Sequence, residues 1–155
     1  MKALVLYDTY FGNTEKVARA IGEAIGEDAQ VMSVKDASYE QLKGLDCLVV
    51  GSPTRAFKPT KETTDWLNKL PSGALSGIKV AAFDTRMDVK KVNNMVLTFM
   101  ERLFSYAAKP IADRLQKKGG NLAADPEGFF VEDSEGPLRD GEMERAAEWA
   151  RKLVA

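Results

Sequence analysis

The sequence predicts an α/β fold in which crossover helices link the strands of a parallel sheet, and three observations predict it. Short apolar runs recur at residues 3–7, 30–34, 45–51 and 79–83, and between them apolar residues return every three or four positions. The first run also passes straight into a polar, glycine-containing loop that opens a helix. Short continuous apolar runs suit strands covered on both faces, and helical periodicity between them supplies the crossovers.

The elements follow in order. After the strand at 3–7, the first helix repeats Val17, Ile21 and Ile25 at four-residue spacing and stops near Gly26. Ser38 and Gln41 form a capping box for a short second helix. Residues 52–59 must be loop, because Pro53 and Pro59 interrupt them, and either Thr60 or Thr63 caps the helix carrying Trp66, Leu67 and Leu70. From Val92, the residues Met95, Val96, Phe99, Met100, Leu103 and Phe104 make a strong apolar stripe, and Pro110 separates that helix from another over 111–118. Two short pieces, 121–124 and 128–131, read as one last strand with a break or as a small hairpin. A turn-rich stretch at 134–141 leads to a closing helix over 142–154, with Ala146, Trp149, Ala150 and Leu153 inward. Trp66 and Trp149 are expected in the core, and Cys47 as a small buried hydrophobe.

Composition narrows the function. The 155 residues suit one domain spanning 1–155. With 22 basic and 23 acidic residues there is no global field to draw in nucleic acid. The apolar run near the N-terminus is too short for a signal-peptide core, and none is long enough to cross a bilayer, so a cytoplasmic protein without a transmembrane segment is expected. One cysteine and no histidine remove disulfides, Ser-His or Cys-His pairs and most transition-metal sites, so no metal is expected. Chemistry must therefore come largely from a bound cofactor.

The first strand–helix junction is a ready anion site. Unpartnered N–H groups and the helix dipole favour a phosphate there; Thr9, Asn13 and Thr14 add side-chain donors, and Gly12 permits close approach. In an open parallel sheet the loops at the carboxyl ends of the strands converge, here 8–14, 52–59 and 84–91. The second offers Thr54, backbone groups and Phe57 as a stacking surface; the third offers Asp84, Thr85 and Arg86. Together they suit a flat heteroaromatic ligand with one phosphate. There is no Gly-x-x-x-x-Gly-Lys-Ser/Thr for a nucleoside triphosphate and no Gly-x-Gly-x-x-Gly for a dinucleotide. A receiver domain would need an Asp ending the third strand, where this chain has Gly51-Ser-Pro-Thr54.

The segment Tyr7-Asp-Thr-Tyr-Phe-Gly-Asn-Thr-Glu-Lys-Val-Ala18, followed by Val50-Gly-Ser-Pro-Thr54, resembles the flavodoxin family. The likeness runs along essentially the whole chain, and these two segments are its specific part. It implies a flavodoxin-like, doubly wound five-stranded parallel sheet of order 2-1-3-4-5 with helices on both faces. It also implies FMN, held by Thr9, Tyr10, Phe11, Gly12, Asn13, Thr14, Ser52, Pro53, Thr54, Arg55, Phe57, Asp84, Thr85 and Arg86. Thr9, Gly12, Asn13 and Thr14 match the family's phosphate loop; Phe11 stands where a hydroxyl is frequent, so one phosphate hydrogen bond must come from elsewhere.

The implied function is electron transfer with redox partner proteins, the flavin cycling between oxidised, semiquinone and hydroquinone forms, with no acid or base residue required. The alternatives are an FMN-dependent NAD(P)H:quinone reductase and a flavin-free interaction module. Two departures from the family stand out: the chain is nearly neutral, and no ring-stacking Tyr follows Asp84. The helix carrying Met95, Phe99, Met100 and Phe104 is either an extended core helix or a cover for the ring, a homodimer or partner contact, or a membrane-edge contact. Arg55, Lys58 and Arg86 are expected to be solvated, with a cation near the flavin raising its potential.

Overall fold

A computed structural model describes residues 1–88 and 106–155. In chain order the elements are β1 (Ala3–Tyr7), α1 (Asn13–Ile25), β2 (Ala29–Ser33), a 3-10 turn (Tyr39–Leu42), β3 (Cys47–Pro53), α2 (Lys61–Asn68), β4 (Lys79–Met87), α3 (Ala108–Lys117), β5 (Asn121–Leu122), β6 (Glu127–Val131) and α4 (Glu142–Val154). The sheet runs β2-β1-β3-β4-β5, and β6 also pairs with β4. All of these pairings are parallel.

The apolar runs are continuous because both faces of the central strands are covered. Leu4, Leu6, Leu48, Val50, Val80 and Ala82 enter one core with Trp66 and Leu67 of α2 and Ile111 and Leu115 of α3. Their alternating neighbours Val5, Tyr7, Cys47, Val49, Ala81 and Phe83 enter the other, with Val17 and Ile21 of α1 and Ala146, Trp149 and Leu153 of α4. Phe83, Phe129 and Trp149 close the second core as three edge-to-face ring pairs with centroids 6.1–6.3 Å apart. Gly51 makes room for this cluster, since a Cβ there would overlap the Phe83 ring. Trp66, Trp149 and Cys47 are buried, as expected.

The strand order and the helices on both faces match expectation; the differences lie at element ends. The last strand is broken, as one of the two readings had it: β5 and β6 lie successively along β4, so the sheet gains a sixth strand. Beyond β6 the chain turns back along its outer edge, where Glu132 N donates to Pro137 O and Arg139 N to Phe130 O, both at 2.9 Å. β4 runs on to Met87, so Asp84, Thr85 and Arg86 are strand residues rather than loop, paired with Gly128, Phe129 and Phe130. Pro110 does not precede α3 but sits in its first turn, where its missing N–H costs no bond. The Ser38–Gln41 capping box forms on a 3-10 turn, and Thr60 is the cap of α2. The stripe of Met95, Phe99, Met100 and Phe104 lies outside the described residues. Among those described, no helix is long and apolar enough to cross a membrane, and no His/Cys/Asp/Glu group could hold a metal ion.

Candidate functional site

A cleft of about 340 Å³ opens at the carboxyl edge of the sheet. One wall is Thr9, Tyr10, Phe11, Asn13 and Thr14 from the β1–α1 junction; another is Pro53, Thr54, Arg55 and Ala56 after β3. Thr85, Arg86 and Met87 from the end of β4 form its floor, with Val131 and Ser134 beyond β6.

The β1–α1 loop is held by its own polar groups. Asp8 Oδ1 accepts from Thr9 N at 2.9 Å, and Thr9 Oγ1 accepts from Gly12 N at 2.8 Å. Gly12 is the N-cap of α1 at φ 91°, a left-handed conformation that glycine reaches without strain, and it offers no side-chain cap. The first intrahelical bond runs from Lys16 N to Gly12 O, so the first-turn N–H groups before it are available to an anion. Thr14 Oγ1 lies 2.8 Å from Thr85 Oγ1, and Asn13 Nδ2 donates to Glu135 O at 3.1 Å. Tyr10 and Phe11 are 53% and 48% exposed and form the outer lip.

After β3, Arg55 and Lys58 exchange backbone hydrogen bonds of 2.8 and 2.9 Å around a two-residue turn. Ala56 and Phe57 occupy that turn at φ 49° and 64°, left-handed positions costing ~1–2 kcal/mol each for residues with a Cβ. The turn sets the Arg55 guanidinium 5.1 Å from the Tyr10 ring centroid. It sends Phe57 away from the cleft, against Tyr106 at 5.9 Å between centroids.

At the end of β4 the Asp84 carboxylate is fully buried and accepts two 2.6 Å bonds from Arg86 and one of 2.9 Å from Ala108 N. Burial pushes its carboxyl above the usual range, against the opposing pull of the Arg86 guanidinium and the Ala108 N–H. Arg86 in turn lies under Tyr106, 3.7 Å from the ring centroid.

Ten of the fourteen expected site residues therefore line the cleft, and Gly12 shapes its anion end. The other three stand away from it. Ser52 is buried, accepting from Thr60 N and donating to Pro53 O, both at 2.9 Å; Phe57 packs on Tyr106; and Asp84 holds the start of α3. Arg86 is not solvated, being forked to Asp84 with 19% of its side chain exposed. Sequence reasoning missed Ala56, Met87, Val131 and Ser134. Applying the rule of converging carboxyl-end loops to the last strand as well would have reached Ser134.

Known proteins share this fold. Residues 4–130 match the family model described as the flavodoxin domain. A flavodoxin from Aquifex aeolicus (strain VF5) is 30% identical over 169 residues, spanning 99% of this chain and 89% of that one. Among solved structures, a flavodoxin from the domain Archaea superposes with a TM-score of 0.74 at 23% identity, over 99% of this chain and 96% of that one. Oxidised flavodoxin 1 from Bacillus cereus does so with a TM-score of 0.77 at 16% identity, over 99% and 97%. At those two identities the likeness is one of fold. Flavodoxins bind FMN and transfer electrons to partner proteins. The match over most of the length, to both the domain model and the Aquifex protein, shows that this chain belongs to the flavodoxin family.

Proposed function

We propose that the chain binds FMN in this cleft and carries electrons between redox partner proteins. The observation that carries the reading is the joining of two chemistries in one cleft. One end has the uncapped N-terminus of α1 with Thr9, Asn13 and Thr14; the other is lined by Pro53–Ala56 after β3 and by Arg86 and Met87 at the end of β4. The first suits a phosphate and the second a flat ring. FMN supplies the redox chemistry, accepting and releasing electrons singly or in pairs.

The chain's own residues bind and orient. Phe11 brings no hydroxyl, so the backbone N–H groups of the loop and first helical turn supply the missing phosphate bond. Among the described residues, the cleft lining holds hydroxyls, one amide and two arginines but no carboxylate. Arg55 favours the added negative charge of a reduced ring, whereas the charge of Arg86 is largely offset by Asp84.

The test is a titration of the apo protein with FMN, followed by flavin fluorescence. Saturable one-to-one quenching, with riboflavin binding more weakly, supports the reading, and no saturable quenching overturns it. Bleaching of the bound flavin by NADH alone would replace the carrier with a reductase.

A further inference from the structure

We infer that Thr85 positions the cofactor's phosphate through Thr14, although it belongs to a different strand from the phosphate loop. The inference rests on the FMN reading above. Thr85 stands in β4, its residue register opposite Pro53 of β3 and Phe129 of β6, and its carbonyl accepts from Thr54 N at 2.9 Å. Its backbone is thus held from both sides. Its side chain leaves the sheet on the face of Phe83, under α1, and there its hydroxyl meets that of Thr14 at 2.8 Å. Thr14 and Thr85 are 1% and 5% exposed, and both line the cleft.

Two hydroxyls in contact share one proton, and either oxygen of this pair can be the donor. If Thr14 donates to Thr85, its oxygen shows the helix N-terminus only lone pairs, which repel an anion. If Thr85 donates to Thr14, the Thr14 proton is free to point at the anion site. A phosphate at the start of α1 selects the second arrangement, and the chain of donors is stronger than an isolated hydroxyl. Because β4 and its neighbours hold Thr85, they also hold the Thr14 rotamer that the phosphate requires. Phe11 has left the loop one hydroxyl short, so the orientation of Thr14 carries more weight here.

The test measures FMN and riboflavin affinities by fluorescence quenching for wild type, Thr85→Val, Thr85→Ser, Thr14→Val and the double variant. Thr85→Val is expected to lower the preference for FMN over riboflavin about five-fold, the size of one net hydrogen bond. Riboflavin affinity should fall by less than FMN affinity, and Thr85→Ser should restore the preference. In the Thr14→Val background, Thr85→Val should have no further effect on the preference. Equal losses for both ligands, an unchanged preference, or full additivity of the two substitutions would each overturn the inference. Thr85→Ala serves as the second removal should the valine variant not fold. Failure of wild type to bind FMN would instead refute the cofactor reading itself, and this inference with it.

Discussion

Replacing Glu142 with glutamine removes one charge and almost no bulk, from a side chain only 7% exposed. Glu142 opens α4, and its carboxylate accepts from Phe130 N at 2.8 Å and from Arg145 Nε and Nη2 at 2.9 and 2.6 Å. Arg145 also lies 4.6 Å from the Phe129 ring centroid, so the carboxylate ties α4 to β6 through both backbone and side chain. Burial pushes its carboxyl up, but Arg145 and the Phe130 N–H pull harder and leave it below the usual glutamate range. A charge-assisted hydrogen bond contributes ~1.5–3 kcal/mol, and glutamine keeps one acceptor oxygen. Arg145 is 36% exposed, so water replaces part of what it loses. Glu142→Gln should therefore cost about 2 kcal/mol at pH 7. A depressed carboxyl stabilises the fold fully above its unfolded pKa, and this contribution is lost as pH falls through the folded one. The gap between wild type and variant should then be smaller at pH 3 than at pH 7. Urea unfolding at the two pH values measures both gaps. A difference that stays constant with pH would refute the assignment of this stability to the charged carboxylate.

Ala56→Gly relieves the left-handed strain at that position but adds unfolded-state freedom, so a net gain of about 0.5–1 kcal/mol is expected in thermal unfolding. A loss would mean that the turn carries no such strain. Gly51→Ala drives a methyl group into the Phe83 ring and should destabilise by about 1–3 kcal/mol, with loss of the near-ultraviolet signal of the Phe83–Phe129–Trp149 cluster. Burial pushes the Cys47 thiol up to about 11, so a thiol reagent at pH 8 should label it only after denaturant is added. Fast labelling of the native protein would contradict its place inside β3.

What the sequence disclosed was local. The run from Ala3 to Tyr7, the polar loop and the helix behind it lie within about two dozen residues, and they were enough to locate the anion end of the cleft. What stayed hidden was set by partners distant in the chain. β4 looked finished at Phe83 because Asp84 and Arg86 are charged; pairing with the ends of β3 and β6, and the fork these two side chains make, turns them into strand. Ser52 read as a ligand hydroxyl, but a prolyl carbonyl and the N–H of Thr60 occupy it. Phe57 pointed elsewhere because Ala56 and Phe57 adopt a turn that normally announces itself through Asn or Gly, and neither is present. Pro110 misled for a simpler reason: a proline ends a helix from within but is tolerated in its first turn.

The broken final strand also bears on how the protein behaves in a crowded solution. A long unpaired strand border invites another chain to add itself, which is the first step of ordered aggregation. Here that border is divided at Ala123–Pro126, and the returning residues Pro137–Arg139 occupy the outer side of its longer piece. Among the described residues, only the two of β5 stand on this border without an outer partner, with a proline close behind them. On this side of the sheet a template that short offers little to an incoming strand, so an edge that departs from a single continuous strand doubles as a local barrier to self-assembly.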